Sequence, residues 1–472
     1  MKRKNIILIV LGIIVILIAV IIIAANSNRS EIHSYSVNVT DANNVSVEMT
    51  TPLHKTEVPD GYIGIYTIDD FDYIRTTPSN NYILMNDLDF SGVVDWNPPD
   101  MKNGLFDGNN YTIKNYKQNV SLFNECLNTT MQNLNMENVE TTSNSIICRE
   151  LGVNSGDTVG LINCNCSGVL KCSISDNMYY GFIEYDDSKV DVNIGGLVGL
   201  MTIYTDGNLV VDACSFDGKI DVELDWKQIS KFYADKKSHS YSFNNFNIGG
   251  LIGKSSKCTI TNSKTKGNIV VNITDLRQWI NIGGIVGKLP IDSNVLNCEN
   301  GININSTNND VHAGGIVGLT AGYNNLVFRE TFNSGNIELN GIGNTAGGIL
   351  GYSYNSYMPF MYDCYNAGDI SASNAGGLSS SSAIISGCYN VGTISGTEKA
   401  GELTADKSEQ IEYSYYLNNG VDVTGEGGKY PYVKALSEEE MKNPSSFEWL
   451  NFNNVWTFSD GDYKYPTLIN CP

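Results

Sequence analysis

The sequence predicts an all-β fold: a right-handed parallel β-helix with about three short strands per coil, N- and C-terminal caps, and one N-terminal transmembrane helix before it. Three observations predict it. A heptapeptide recurs as NIGGLVG (residues 193–199), NIGGLIG (247–253), NIGGIVG (281–287), HAGGIVG (312–318) and TAGGILG (345–351), decaying to NAGGLSS from Asn374 and KAGEL from Lys399. A second motif follows it in the units, as CSFDGKI at Cys214, TFNSGNI at Thr331, CYNAGDI at Cys364 and CYNVGTI at Cys388, with CNCSGVL at Cys164 upstream. Twenty apolar residues run unbroken over positions 6–25.

The apolar run comes first. As a helix rising about 1.5 Å per residue it is about 30 Å long, the thickness of a bilayer core. Lys2, Arg3 and Lys4 precede it and only Arg29 follows closely, which puts the N-terminus in the cytoplasm and the rest of the chain outside. A cleaved secretory signal is the alternative, with residues 23–25 as its cleavage site. Residues 1–30 are therefore an anchor or a signal. The expected localisation is the cell membrane, single-pass with an extracellular C-terminal domain, or else secretion. Residues 31–60, polar and without periodicity, read as a stalk.

The β-helix is expected over residues 61–434. Residues 66–77 have apolar positions at helix-like spacing and serve as an N-terminal cap, leading into the alternating strand NYILMNDLDF (81–90). The leading glycines Gly195, Gly249, Gly283, Gly314, Gly347, Gly376 and Gly401 are 54, 34, 31, 33, 29 and 25 residues apart, a unit near thirty with one large insertion. The runs between them are short, rich in Val and Ile and bounded by turn residues, as strands are, and no helix-length segment intervenes to make βαβ units. One such coil cannot bury its inner face alone, so every coil must offer its neighbours a matching surface. The pairs Gly195/Gly196, Gly249/Gly250, Gly283/Gly284, Gly314/Gly315 and Gly347/Gly348 suit corners where φ is positive or the next backbone comes close. Leu197, Leu251, Ile285, Ile316 and Ile349 then stack in one aliphatic column, about 4.8 Å apart. Residues 82–416 leave room for about eleven coils. Residues 435–472 form the C-terminal cap, where Ser437 and Glu440 make a capping-box pair.

Cys164, Cys214, Cys298, Cys364 and Cys388 share their slot with Ser263 and Thr331, so it takes small side chains generally, and buried cysteine suits it as a small hydrophobe. Stacked coils bring Cα atoms close enough for a disulfide, but parallel Cβ vectors disfavour one.

These residues resemble the GLUG motif, a repeat of bacterial cell-surface and secreted proteins. NNYILMNDLDF with the following LFDGNNYTIKNY (residues 80–116) is similar to the usual start of such arrays, and LSEEEMKNPSSF with YPTL to their usual end. The resemblance spans residues 61–468 and implies architecture more than activity. One GLUG-bearing family comprises immunoglobulin A-cleaving metallopeptidases, whose zinc chemistry requires HExxH. The four histidines, His33, His54, His239 and His312, form no such motif, so no peptidase role carries over; lone histidines like these read as surface or turn residues.

Charge narrows the partners. With the three basic residues of the first five positions set aside, 27 basic residues face 51 acidic ones, which repels nucleic acid and anionic lipid. No cofactor, metal or catalytic residue is expected. No phosphate-binding glycine loop or nucleophile elbow is present, no position repeats Asp or Glu in consecutive units, and Asp69/Asp70 and Asp186/Asp187 read as solvated turn carboxylates. The strongest candidate for binding is the insertion at residues 225–246, whose Trp226, Lys227, Lys231, Phe232, Tyr233, Tyr241 and Phe243 form a basic and aromatic excursion in an acidic chain. Solenoid insertions map to one face, often the binding face, though aromatics also simply cover core under long loops. A second aromatic cluster spans residues 352–365. The expected function is a membrane-anchored adhesin or binding scaffold for a glycan or protein ligand on a host or neighbouring cell. The alternatives are a cell-wall or polysaccharide-active enzyme and a passive envelope spacer.

Overall fold

The computed structural model describes residues 35–41, 44–49 and 54–471, apart from 173–182, 187–188, 226, 228–241, 275, 277, 291, 323–325, 355–357, 459–460 and 462. The apolar run at 6–25 lies outside them, and no described helix is long and apolar enough to cross a membrane. The chain divides into two compact units after Glu57. In the first, Tyr35–Asp41 pairs antiparallel with Asn44–Met49, setting Val37 opposite Val47 and Val39 opposite Val45. The supposedly patternless stalk thus contains a hairpin, and its two-residue alternation is there in the sequence.

The second unit is a parallel β-helix. Lys189–Gly195 is followed by Val198–Ile203, Asn208–Asp212 and Ser215–Asp225. The next coil repeats the order with Ser242–Gly249, Ile252–Ser255, Cys258–Thr261 and Lys264–Thr274, each paired in parallel with its predecessor. Four ladders therefore run along the molecule where three were expected, because GGLVG is not one strand but the corner between the first and second ladders. Among the described residues the third ladder has 12 strands, close to the roughly eleven coils expected, and the second has 8. The first and fourth ladders merge near the C-terminus, where Ile370–Gly376 and Ile394–Gly401 run continuously through both.

The corner holds the coils in register. The Leu197 amide donates to the Leu251 carbonyl at 2.9 Å, Leu251 to Ile285 at 2.9 Å, Ile285 to Ile316 at 3.1 Å and Ile316 to Ile349 at 3.1 Å, so the five form one buried column. The glycine pairs do not have positive φ. Their requirement is steric: a Cβ on Gly250 would lie 1.9 Å from the Gly284 carbonyl oxygen, and one on Gly196 would lie 2.0 Å from that of Gly250.

A buried asparagine column explains the second glycine further. In the fourth ladder, Thr265, Asn300, Asn333, Asn366 and Asn390 succeed one another in register. The Asn300 amide donates to Asn333 at 2.6 Å, Asn333 to Asn366 at 2.7 Å, Asn366 to Asn390 at 2.8 Å, and Asn390 to the Glu402 carboxylate at 2.8 Å. These side chains fill the space a Cβ on the second glycine would need, coming 2.2 Å from it at Gly284 and 2.5 Å at Gly315 and Gly348. The Asn of the second motif and the Gly of the first are therefore one device. In the last coil Tyr416 replaces the asparagine, and the freed glycine position is Glu402, whose carboxylate ends the column.

A third column lies at the corner between the third and fourth ladders. Asn163, Ala213, Asn262, Asn297, Glu330, Asp363 and Tyr413, each just before the small-residue slot, have φ between 48° and 54°. Asn and Asp tolerate this left-handed conformation through local hydrogen bonds, whereas alanine does not gain them. The cysteines of the slot are free, like all eleven, and burial pushes Cys298 in the slot, and Cys258 on the third ladder, up to about 12, which disfavours the thiolate.

Both ends are covered. The helix Phe71–Thr76 buries Phe71 and Ile74 over the first coils, with the Phe71 ring 5.2 Å from Trp96. At the other end Ser437 and Glu440 form the reciprocal capping box of the helix Glu438–Met441, and Trp456 packs 5.5 Å from Tyr389.

Two outcomes follow for stability. Ala213→Asn is expected to stabilise the fold by about 1 kcal/mol by relieving left-handed strain, read from urea denaturation. Glu402 is fully buried with one oxygen unpartnered, and burial raises its pKa to about 7. The folded state therefore holds its proton more tightly than the unfolded state, so this group's contribution is complete below about pH 4.5 and is lost as pH rises through 7. Glu402→Gln should remove that fall, worth at most about 3 kcal/mol, in melts recorded across this range.

Candidate functional site

Strand alternation in the first ladder sends Asn193, Asn247, Asn281, His312 and Thr345 away from the core, in register on successive coils. All five are nevertheless buried. The cause is the third glycine of the motif. A Cβ on Gly253 would lie 2.5 Å from the Ile194 nitrogen, one on Gly287 2.4 Å from Ile248 N, and one on Gly318 2.6 Å from Ile282 N. Without side chains there, the second ladder folds back against the first and the face between them is concave. The Lys254 ammonium on the second ladder reaches the Asp191 carboxylate on the first at 3.1 Å.

Along the floor of this face Asn247 donates to Asn193 and Asn281 donates to Asn247, each at 2.8 Å. The chain then stops. His312 shares its Nδ1 hydrogen bond with Thr345 Oγ at 2.8 Å, while Asn281 Oδ1 and His312 Nε2 are buried without partners. The His312 ring, 2% exposed, is stacked between Trp279 (4.8 Å between centroids) and Tyr352 (4.7 Å). Tyr354 stands perpendicular to all three rings. Trp279 is 39% exposed and Tyr354 49%, so this cluster presents aromatic surface to solvent. Burial lowers the His312 pKa to about 4, which keeps the imidazole neutral at ordinary pH.

The sequence signals meet this face only in part. Trp226, Lys231, Phe232, Tyr233 and Tyr241 lie outside the described residues. Lys227 is exposed, with its backbone amide donating to Asp225 Oδ1 at 2.9 Å, and Phe243 lies on a first-ladder strand in register with Val190. The insertion connects the fourth-ladder strand Ser215–Asp225 to the first-ladder strand Ser242–Gly249. One coil earlier Ile183–Asp186 pairs antiparallel with the first-ladder strand Lys189–Gly195, so Asp186 sits in a hairpin and not in an irregular turn. Among the described residues of the 352–365 cluster, Tyr352 and Tyr354 belong to the face. Phe360 and Tyr362 lie on the third ladder, and Tyr365 is buried in the fourth, stacked between Phe332 and Tyr389. Trp279 and the burial of His312 escaped sequence reading, which took lone histidines for surface or turn residues. Their signal was HAGG standing where NIGG recurs.

A second cluster lies on the outer surface of the second ladder. Glu125 and Glu150 are in register on neighbouring coils, so consecutive units do repeat a carboxylate. The match was missed because this part of the array lacks the glycine pair that marks the register. Arg149 pairs with Glu125 and lies 3.6 Å from Glu150, which accepts a hydrogen bond from the Tyr204 hydroxyl. Burial, then this bond to Glu150, raises the Tyr204 pKa. Glu125, Glu150 and Tyr204 line a cavity of about 390 Å³ with Lys102 and Asn154. Asp70 is not a free turn carboxylate either: it accepts from the Tyr66 and Thr67 amides at 2.8 Å. Among the described residues no group of three or more His, Cys, Asp or Glu is arranged to hold a metal.

No known family matches the chain, and no curated protein matches it in sequence. Two solved structures resemble it. One, from Bacteroides ovatus and provisionally named an immunoglobulin A1 protease, has a TM-score of 0.37 and 16% identity over 86% of this chain and 91% of that one. The other, named IgA1 protease, has a TM-score of 0.43 and 16% identity over 73% of this chain and 23% of that one. At these scores the likeness carries no argument about the site, and the β-helix rests on its own register.

His312→Asn should continue the asparagine column and remove a buried base. Because the folded pKa is depressed from 6.5 to about 4, the wild type loses stability as pH falls through that window. The variant is expected to lose less, by up to about 3 kcal/mol at pH 4, in thermal melts recorded from pH 7 to pH 4.

Proposed function

We propose that this chain is an exported, membrane-anchored β-helix of the GLUG-repeat kind, acting as a binding scaffold or adhesin for a glycan or protein on another cell. The observation that carries the reading is the concave face, where Trp279 and Tyr354 are exposed. Exposed aromatics beside fixed polar groups are the usual composition of a ligand surface. The charge runs of residues 1–30 support anchoring and export, and the acidic body argues for a ligand other than nucleic acid.

A polysaccharide-active enzyme is the second reading, favoured by the in-register Glu125 and Glu150. Paired carboxylates can divide acid and base roles in glycoside cleavage. Arg149 and Tyr204 already engage both, which favours a structural role for the pair. Release of reducing ends that disappears in Glu150→Gln would reverse that preference.

Replacing residues 226–241 by the short connection 275–278 of the next coil tests the binding role directly. Cells displaying the altered full chain are expected to adhere at least about tenfold less well than cells displaying the wild type. Equal adhesion would remove the insertion from the proposal.

A further inference from the structure

We propose that the step between Asn281 and His312 is a saccharide subsite, in which a sugar ring stacks on Trp279 beside Tyr354 and one hydroxyl bridges Asn281 Oδ1 and His312 Nε2. The inference rests on the binding reading above and narrows its ligand to a sugar.

The polar half comes from the interrupted column. Asn193 and Asn247 each receive an amide from the following coil, and Asn281 does not, because the next residue is His312 and its Nδ1 is engaged with Thr345. Two buried, unpartnered polar atoms thus sit on adjacent rungs of one ladder. A buried polar atom left without a partner destabilises the fold, and a ligand that supplies one relieves that cost. An amide oxygen only accepts, and a neutral imidazole nitrogen accepts or donates according to its tautomer. A hydroxyl, which does both, satisfies either arrangement; a carboxylate cannot donate to the amide oxygen.

The apolar half comes from the rings. Trp279 lies two residues before Asn281 on the same strand, so it projects from the same side directly beside the orphaned pair. Its ring and that of Tyr354 stand at 87° in the unliganded chain and both are exposed, so both are available to a sugar once the indole has moved. A pyranose has the matching pattern, with an apolar face of C–H groups and hydroxyls at its edge. The Asn281 side chain is covered at present, and Trp279 is the exposed member of the stack. Admission of the hydroxyl therefore requires the indole to swing away from His312.

The test uses the full chain in detergent and soluble hexasaccharides of the cello, manno, galacto, xylo and chito series, titrated calorimetrically, with circular dichroism and melting of each variant as the folding control. At least one series is expected to bind. Trp279→Ala should weaken that binding at least about tenfold and Tyr354→Ala about fivefold, with Trp279→Phe close to wild type. His312→Ala and Asn281→Ala should lower affinity and also flatten the preference among epimeric sugars, which loss of packing alone would not do. Absence of binding by every series, binding unchanged in Trp279→Ala, or equal weakening for all sugars in His312→Ala would each overturn the subsite. Cell adhesion that depends on residues 226–241 without any saccharide binding would sink the subsite and spare the scaffold reading; loss of both would sink both.

Discussion

The molecule depends on how closely one coil's backbone approaches the next at the corner between the first and second ladders. There the carbonyl oxygen of one coil occupies the place where a side chain on its neighbour would begin, within 1.9 Å at Gly250 and 2.0 Å at Gly196. Hydrogen bonding between coils demands that approach, and only glycine permits it. Register, core column and the concave outer face all follow from this contact. The five aliphatic residues of the repeat stack because the glycines before them fix where each coil turns. The third glycine then lets the second ladder close against the first and hollows the outer surface between them.

Polar columns extend the same logic. One runs inside, from Asn300 to Asn390, and one outside, from Asn193 to Asn281, each amide satisfied by its neighbour one coil away. A column of identical residues is self-sufficient except where it ends. The inner one ends in Glu402, a buried acid, and the outer one breaks at His312, a buried base. Both groups therefore titrate far from their ordinary values, in opposite senses. The outer break also leaves buried polar atoms without partners beside exposed aromatic rings.

Much of this was legible in the sequence because repetition amplifies weak signals. The β-helix, the aliphatic column, the small-residue slot and the Ser437/Glu440 box could all be read from spacing. The fourth ladder could not, because the glycine pair looks like part of a strand until the register shows it turning a corner. The coupling of Gly284, Gly315 and Gly348 to Asn300, Asn333 and Asn366 was equally hidden, since it joins motifs far apart in the chain. For the site, the sequence pointed to the insertion, most of which lies outside the described residues. Trp279 and His312 carried no pattern of their own and became visible only as departures from one. Glu125 and Glu150 were hidden because no glycine pair marks their coils.

The central claim is that backbone approach at the corner, and not the conformational freedom of glycine, specifies the fold. Thermal unfolding of Gly250→Ala measures it most directly, with Gly92→Ala as the reference, since a Cβ on Gly92 meets nothing within 4 Å. The account predicts that Gly92→Ala melts like the wild type while Gly250→Ala loses its cooperative transition or drops it by many degrees. Superimposable melting curves for the two variants would contradict it.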